Sequence, residues 1–136
     1  MQPLSYYQEI ISNHFNALIV NEEPANLYEP IKYILSLGGK RMRPVLTLMA
    51  TEVFDADCKK SLAAATAVEV FHNFSLVHDD IMDDAPLRRG NETVHEKWNL
   101  NTGILSGDAM LILAYQYFEQ YPPEIFKELA QLFSKT

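Results

Sequence analysis

Four aspartates occur within six positions of the stretch SLVHDDIMDDAPLRRG: Asp79, Asp80, Asp83 and Asp84. Asp79 and Asp83 are four residues apart, so on a helix they lie one turn apart on the same face. Like charges at that spacing repel each other, and a divalent cation between them removes the repulsion. Two carboxylates that leave room for waters and phosphate oxygens suit Mg²⁺. The spacing therefore makes a magnesium site the sharper hypothesis for this stretch.

A solvated helix end is the plainer interpretation of the acidic cluster, and it stays open. A calcium-binding loop is excluded, because no glycine is sixth when the count starts from Asp79 or Asp80. Aspartates at the C-terminal end of a helix also oppose the helix dipole, which favours a bound cation. On a helical wheel, His72 and Leu76 fall with Asp79 and Asp83 within an arc of about 60°. One wall of the helix thus carries a histidine and, two turns on, a carboxylate pair.

Two groups of cations accompany the aspartates. The segment GGKRMRP brings Lys40, Arg41 and Arg43 to the predicted start of a helix, where an anionic ligand would offset their charge. It is not a P-loop, since the residue directly after Lys40 is neither Ser nor Thr. An exposed basic turn without a ligand remains the alternative to an anion site. Arg88 and Arg89 follow the aspartates, and arginine binds phosphate bidentately without losing its charge. The sequence therefore predicts two ways of holding phosphate, and so two phosphorylated substrates.

The elements that must position these residues are predicted to be helices throughout. Apolar side chains recur at helical spacing, and glycines and prolines separate the segments that carry them. We predict helices at about residues 4–20, 25–37, 44–54, 61–83 and 104–121, with another after Pro122 and Pro123. The longest is apolar nearly all round, as is typical of the central helix of a bundle. The segment APLRRGNE after it is predicted to be a loop, and the fold class is all-α, one helical domain over residues 1–136.

Composition limits the class of protein. The chain has 136 residues, of which 48% are hydrophobic and 21% charged, as in a globular domain. A net charge of -7 argues against nucleic-acid binding, and a single cysteine excludes an intrachain disulfide. The amino terminus lacks a secretory signal, and no apolar run reaches about 18 residues. We therefore expect no transmembrane segment and a cytoplasmic location.

Taken together, these segments resemble the trans-type isoprenyl diphosphate synthases, which form the polyprenyl synthetase family. GGKRMRP is similar to the family's GGKxxRP segment, and VEVFHNFSLVHDDIMD is similar to its first aspartate-rich helix. LRRGNETVH resembles the loop that follows, and ILSGDAML resembles the segment that opens the next helix. The similarity covers about residues 38–111 in the family's order and spacing. It implies a helical bundle, the amino-terminal half of an isoprenoid-synthase-type fold.

The resemblance implies a role for each matching residue. Four match positions that bind the diphosphate of isopentenyl diphosphate: Lys40, Arg43, His72 and Arg89. Three match the catalytic aspartates of the first motif: Asp79, Asp80 and Asp83. Of these, Asp79 and Asp83 match the Mg²⁺ ligands that hold the allylic diphosphate, and Arg88 matches a contact to the same diphosphate. The implied substrates are therefore two small diphosphates, and the implied cofactor is Mg²⁺.

The implied reaction is a head-to-tail condensation. The allylic C–O bond breaks while Mg²⁺ and arginines stabilise the charge on the departing pyrophosphate. The double bond of isopentenyl diphosphate attacks the allylic cation, and loss of a proton to the pyrophosphate gives a product five carbons longer. Such a cation must be protected from water by an apolar cleft.

Product length in the family depends on the bulk just upstream of the aspartates. The resemblance assigns this role to Phe71, Phe74 and Ser75 and implies a short product, C15 to C20. On the wheel, Ser75 is about 40° and Phe71 about 80° from Asp79, whereas Phe74 is about 140° away. Only the resemblance therefore assigns Phe74 to the cleft, and both phenylalanines are open to interpretation as ordinary core residues.

The sequence departs from the family in one respect. Members are about twice as long and carry a second aspartate-rich motif, but no aspartate follows Leu111. Lys135 and Thr136 come too early to be matched with the family's downstream Lys-Thr contact. We therefore expect an incomplete amino-terminal portion of a larger catalytic domain, with little turnover alone and a homodimer in the full-length form.

Three alternatives remain open at this point. The first is a non-catalytic partner subunit of a heteromeric prenyl synthase. The second is a terpene cyclase-like diphosphate-binding protein, which uses DDxxD but needs no second diphosphate site; GGKRMRP and His72 argue against it. The third is a plain helical interaction module, which explains the helices and none of the charges.

Overall fold

The computed structural model describes residues 1–18 and 22–136. The described residues form seven α-helices: α1 Leu4–Ala17, α2 Ala25–Ser36, α3 Met42–Val53, α4 Leu62–Met82, α5 Val94–Lys97, α6 Leu100–Phe118 and α7 Pro123–Lys135. The all-α prediction is confirmed. The predicted end of the first helix, near residue 20, lies outside the described residues. None of the described helices is both long enough and apolar enough to cross a membrane.

Helix α4 is the central element, as the apolar residues on nearly all of its sides predicted. It packs most extensively against α6 and also contacts α2 and α3. Small residues allow the close approach, since Gly103 and Gly107 of α6 are buried. A Cβ atom on Gly107 would overlap the ring of His78, so this position of α6 has no room for a side chain. The end of α4 that carries the aspartates is therefore fixed by its contact with α6.

The GGKRMRP turn is anchored to the core through Arg41. Gly38 and Gly39 have φ angles of 71° and 135°, which L-residues rarely adopt, and Arg41 itself has a φ angle of 44°. The Arg41 guanidinium lies 4.1 Å from the ring centroid of Phe15 and donates a hydrogen bond to the Leu35 carbonyl at 2.9 Å. The turn is thereby held between α1, α2 and the start of α3.

The predicted loop after α4 contains a small hairpin. Its strands are β1, Leu87–Arg88, and β2, Asn91–Glu92, and Arg88 pairs with Asn91. Arg89 and Gly90, between the strands, both have positive φ angles, 52° and 79°, as in a type I′ turn. The loop prediction was wrong only at the four strand residues, Leu87, Arg88, Asn91 and Glu92, because two-residue strands are too short to show an alternating pattern.

One boundary and one connecting segment also differ from the prediction. Helix α6 begins at Leu100 rather than near Ile104, because the Asn99 side chain accepts a hydrogen bond from the Thr102 amide at 2.8 Å and caps the helix. The segment between α3 and α4, predicted as a connection, contains a short 3-10 helix, Cys58–Ser61, which Asp57 caps.

Candidate active site

The carboxylates of Asp79 and Asp83 lie at the exposed end of α4. The Asp83 amide donates to the Asp79 carbonyl at 2.9 Å, so the two residues are one helical turn apart, as the spacing predicted. Both are exposed. Among the described residues, no hydrogen bond or ion pair engages either side chain. Two free, adjacent carboxylates form a donor set that fits a hard divalent cation such as Mg²⁺.

Asp80 differs from its neighbours because its side chain is buried and paired. The Arg88 guanidinium donates to it twice, from Nε to Oδ2 at 2.7 Å and from Nη2 to Oδ1 at 2.8 Å. These hydrogen bonds raise the pKa of Arg88, against the lowering effect of burial. Arginine has five N–H donors. The hydrogen bonds to Asp80 use two of them, so Arg88 retains N–H donors for a ligand oxygen.

The four residues matched to isopentenyl diphosphate binding line one cleft of about 380 Å³: Lys40, Arg43, His72 and Arg89. The packing of α3 against α4 brings Arg43 to His72, and Arg43 Nη1 donates to His72 Nε2 at 3.2 Å. Burial and the nearby Arg43 charge lower the pKa of His72. A neutral His72 is consistent with its acceptor role toward Arg43. The cleft thus concentrates positive charge where an anion would be held.

Arg89 joins this cleft from the hairpin. Its guanidinium donates to the Gly38 carbonyl and lies against Gly39. A Cβ atom on Gly39 would lie 2.8 Å from Arg89 Cζ, so the close approach requires glycine. The second glycine of GGKRMRP therefore makes room for a cation that lies fifty positions further along the chain.

Arg41 does not belong to the exposed part of the basic turn. Burial lowers its pKa, and its Nη1 atom is buried without a hydrogen-bond partner among the described residues. The interpretation of KRMR as an exposed basic turn is therefore wrong for Arg41, whereas Lys40 and Arg43 are exposed. All three cations line the cleft, but Arg41 anchors the turn, whereas Lys40 and Arg43 present exposed charge to it.

Sequence reasoning missed Glu69, which also lines the cleft. The residue is only 5% exposed. Asn73, one turn later, donates to the Glu69 carbonyl at 2.8 Å, and its amide lies 3.4 Å from Glu69 Oε1. A buried carboxylate close to the cationic cleft offsets part of its charge. The polar pair at i and i+4 within an apolar helix was the signal that could have found it.

The three residues assigned to product length lie next to one another on α4. The rings of Phe71 and Phe74 are 5.3 Å apart. Phe71 is 37% exposed and contacts Phe133 of α7, whereas Phe74 packs against the core and the His78 ring. Ser75 donates its hydroxyl to the His72 carbonyl at 2.7 Å. An ordinary core position therefore describes Phe74 better than Phe71, and the assignment to product length stays a prediction.

The fold is an all-α bundle of the isoprenoid-synthase type. Residues 24–136 match the polyprenyl synthetase family, and the chain belongs to that family. The resemblance seen in the motifs is thereby confirmed.

Individual relatives agree with this assignment. The chain is 41% identical over 118 residues to a geranylgeranyl pyrophosphate synthase of Geoglobus acetivorans, and the match covers 85% of this chain. It is 37% identical over 111 residues, 80% of this chain and 30% of the relative, to the large subunit 1 of a heterodimeric geranylgeranyl pyrophosphate synthase of Arabidopsis thaliana chloroplasts. A crystal structure of a geranylgeranyl pyrophosphate synthase superposes on 99% of the chain with a TM-score of 0.95 and 54% identity.

The chain is shorter than the proteins it matches. It spans 37% of the Geoglobus synthase and 41% of the chain in that crystal structure.

Proposed function

We propose that this chain contributes two diphosphate sites to a prenyltransferase that condenses isopentenyl diphosphate with an allylic diphosphate. The proposal rests chiefly on the cleft in which Lys40, Arg43, His72 and Arg89 converge beside α4. The C-terminal end of the same helix carries the free carboxylates of Asp79, in its last turn, and Asp83, its C-cap residue. Membership of the polyprenyl synthetase family supports the same reaction.

The cationic cleft is proposed to hold isopentenyl diphosphate. Lys40 provides a compact charge, and the guanidinium groups of Arg43 and Arg89 can each bind two phosphate oxygens. An anion beside His72 would favour the protonated ring, which then donates rather than accepts a hydrogen bond. The substrate is thus fixed by its diphosphate, which leaves its double bond free to react.

Asp79 and Asp83 are proposed to hold Mg²⁺ with the allylic diphosphate. The bound ion would neutralise charge that develops on the pyrophosphate as the C–O bond breaks. Arg88, whose remaining N–H groups are unused by Asp80, can donate to the same diphosphate. Asp80 acts by positioning Arg88.

The condensation needs no base other than the pyrophosphate that it releases. As the allylic C–O bond breaks, its electron pair leaves with pyrophosphate. The double bond of isopentenyl diphosphate supplies the pair for the new C–C bond, and a proton passes to pyrophosphate as the new double bond forms. The protein's tasks are to orient two diphosphates and to stabilise the leaving group.

The proposed product is short, C15 to C20. The geranylgeranyl pyrophosphate synthase names of the matched relatives support the C20 end of this range. Phe71 and Phe74, whose rings contact each other on α4, are the proposed limit on chain growth. Replacement of Phe74 with alanine is therefore expected to lengthen the product.

Binding of an unreactive allylic thiodiphosphate tests the magnesium site. We expect it to bind with Mg²⁺ and to bind weakly without it, and Asp79→Asn should remove the magnesium effect. Asp108→Asn, an exposed carboxylate on α6, is the matched control and should change nothing. Equal binding with and without Mg²⁺ would contradict the proposal.

A turnover assay with labelled isopentenyl diphosphate, an allylic primer and Mg²⁺ separates the alternatives. Because the chain spans 37% of the Geoglobus relative, we expect residues 1–136 alone to turn over slowly. Efficient turnover would show that this expectation is wrong. Turnover that appears only with a second polypeptide would identify a heteromeric subunit, and an allylic diphosphate that reacts without isopentenyl diphosphate would identify a cyclase.

A further inference from the structure

A second cluster of possible metal ligands lies beyond the end of α4, and the proposed reaction does not use it. It consists of Asp84, His95 and Glu96, whose ligand atoms all lie within 4.8 Å of one another. Asp84 follows α4 directly, and His95 and Glu96 belong to α5. The hairpin lies between them in the sequence, so the cluster closes the loop that carries Arg88 and Arg89.

His95 is the member that points to a ligand. Its side chain is only 9% exposed, and both ring nitrogens are buried without a hydrogen-bond partner among the described residues. A neutral imidazole has one donor and one acceptor nitrogen, and buried polar groups in folded proteins are nearly always satisfied. The Nε2 atom faces Glu96, whose Oε1 is 4.0 Å away, beyond hydrogen-bond distance. The ring is therefore buried and aimed at a carboxylate, and neither of its nitrogens has a hydrogen bond among the described residues.

The surrounding structure fixes the position of His95. Gly103 of α6 lies against the base of the side chain, since a Cβ atom on Gly103 would be 3.4 Å from His95 Cβ. The hydroxyl of Thr93 donates to the Ala85 carbonyl at 2.7 Å, which fixes the start of α5 to the residue after Asp84. The two sides of the cluster are thus joined before any ligand is present.

We propose that Asp84, His95 and Glu96 bind a divalent transition-metal ion of the Zn²⁺ class, at a site separate from the Asp79–Asp83 pair. One imidazole nitrogen with two carboxylate oxygens is a ligand set that zinc accepts and that Mg²⁺, which prefers oxygen alone, does not favour. Tetrahedral zinc needs ligand atoms about 3.5 Å apart. Asp84 and Glu96 are exposed, so side-chain rotation can bring their oxygens closer.

The bound ion would fasten the two ends of the hairpin to each other. Its effect would therefore be structural: the ion stabilises the segment that presents Arg88 and Arg89. This inference does not depend on the proposed reaction, because it rests on His95 and its two carboxylate neighbours alone.

Titration with Co²⁺ in excess Mg²⁺ tests the site, since Co²⁺ absorbs visible light and takes the same ligands as Zn²⁺. We expect one Co²⁺ per chain, displaced by Zn²⁺, and a rise in the unfolding temperature with either metal. Asp84→Asn and Glu96→Gln should each weaken binding at least about 10-fold, the lower end of what even an indirect ligand partner contributes. Both changes preserve shape, and asparagine tolerates the φ angle of 49° at position 84.

Two controls make the result specific. Asp108→Asn, whose carboxylate lies 3.6 Å from His78, should leave Co²⁺ affinity unchanged. The double variant Asp79→Asn/Asp83→Asn should also leave it unchanged. The proposal is overturned if no Co²⁺ binds in excess Mg²⁺, or if Asp84→Asn and Glu96→Gln bind it as the unaltered chain does. Loss of binding in the Asp79→Asn/Asp83→Asn variant alone would overturn it as well.

Discussion

Arg88 and Asp80 are joined by two hydrogen bonds, of 2.7 Å and 2.8 Å, that link β1 to the last turn of α4. The pair separates the roles of the neighbouring aspartates. Asp80 is buried and holds the hairpin in place, whereas Asp79 and Asp83 are exposed and unpaired among the described residues. Stability and ligand binding are thus assigned to different carboxylates of one motif.

The first prediction concerns this division. Arg88→Met leaves the Asp80 carboxylate buried without its partner, and breaking a buried pair costs about 3–5 kcal/mol. Because the Arg88 side chain is 23% exposed, we expect the lower part of that range in the free energy of unfolding, measured with urea. Asp79→Asn removes an exposed charge and should change stability by less than about 0.5 kcal/mol. Equal losses in the two variants would contradict the assignment.

The second prediction concerns pH. Burial and the Arg43 charge lower the pKa of His72, and burial lowers the pKa of His14. Between these lowered values and the ordinary value of about 6.5, the unfolded chain binds more protons than the folded chain. The free energy of unfolding should therefore decrease as the pH falls below about 6.5.

Substitution tests which groups cause this slope. His72→Gln should flatten the dependence of the free energy of unfolding on pH in the acidic range, because it removes one proton-binding group. Urea unfolding at a series of pH values measures the change. A slope that stays the same in His72→Gln and also in His14→Gln would show that other groups cause it.

The third prediction compares the two glycines of the GGKRMRP turn. A Cβ atom on Gly39 would meet the Arg89 guanidinium, whereas a Cβ atom on Gly38 would meet no atom within 4 Å. Both have positive φ angles, so both alanine variants carry backbone strain. Only Gly39→Ala should also displace Arg89 and weaken pyrophosphate binding, by about 10-fold for one lost charged hydrogen bond. Calorimetric titration measures both variants, and equal affinities would contradict the proposed contact.

Local features of the fold and site could be predicted from the sequence. The four-residue spacing of Asp79 and Asp83 placed them one turn apart because helical geometry is periodic. The start of α6 was missed because the Asn99 cap precedes the apolar pattern that marked the helix. The partial burial of Arg41 could not be predicted either, since an arginine in a basic turn has the same local sequence whether or not it packs on Phe15.

Contacts between distant segments could not be predicted from the sequence, for a different reason. The Arg89–Gly39 approach depends on how the hairpin folds back onto the start of α3. The burial of the His95 ring nitrogens depends on how the segment after the hairpin packs against the rest of the chain. Neither arrangement leaves a periodic signal in the sequence, because each is set by the packing of α4 between α3 and α6.

Titration of isopentenyl diphosphate into the chain without Mg²⁺ tests the central claim most directly. We expect binding that weakens as salt is raised, because the cleft holds its ligand by charge. Lys40→Ala should weaken it at least about 10-fold, the effect of losing one charged hydrogen bond, while Lys127→Ala, an exposed lysine on α7, should not. If Lys40→Ala and Lys127→Ala bind isopentenyl diphosphate equally well, the cleft of Lys40, Arg43, His72 and Arg89 is not its site.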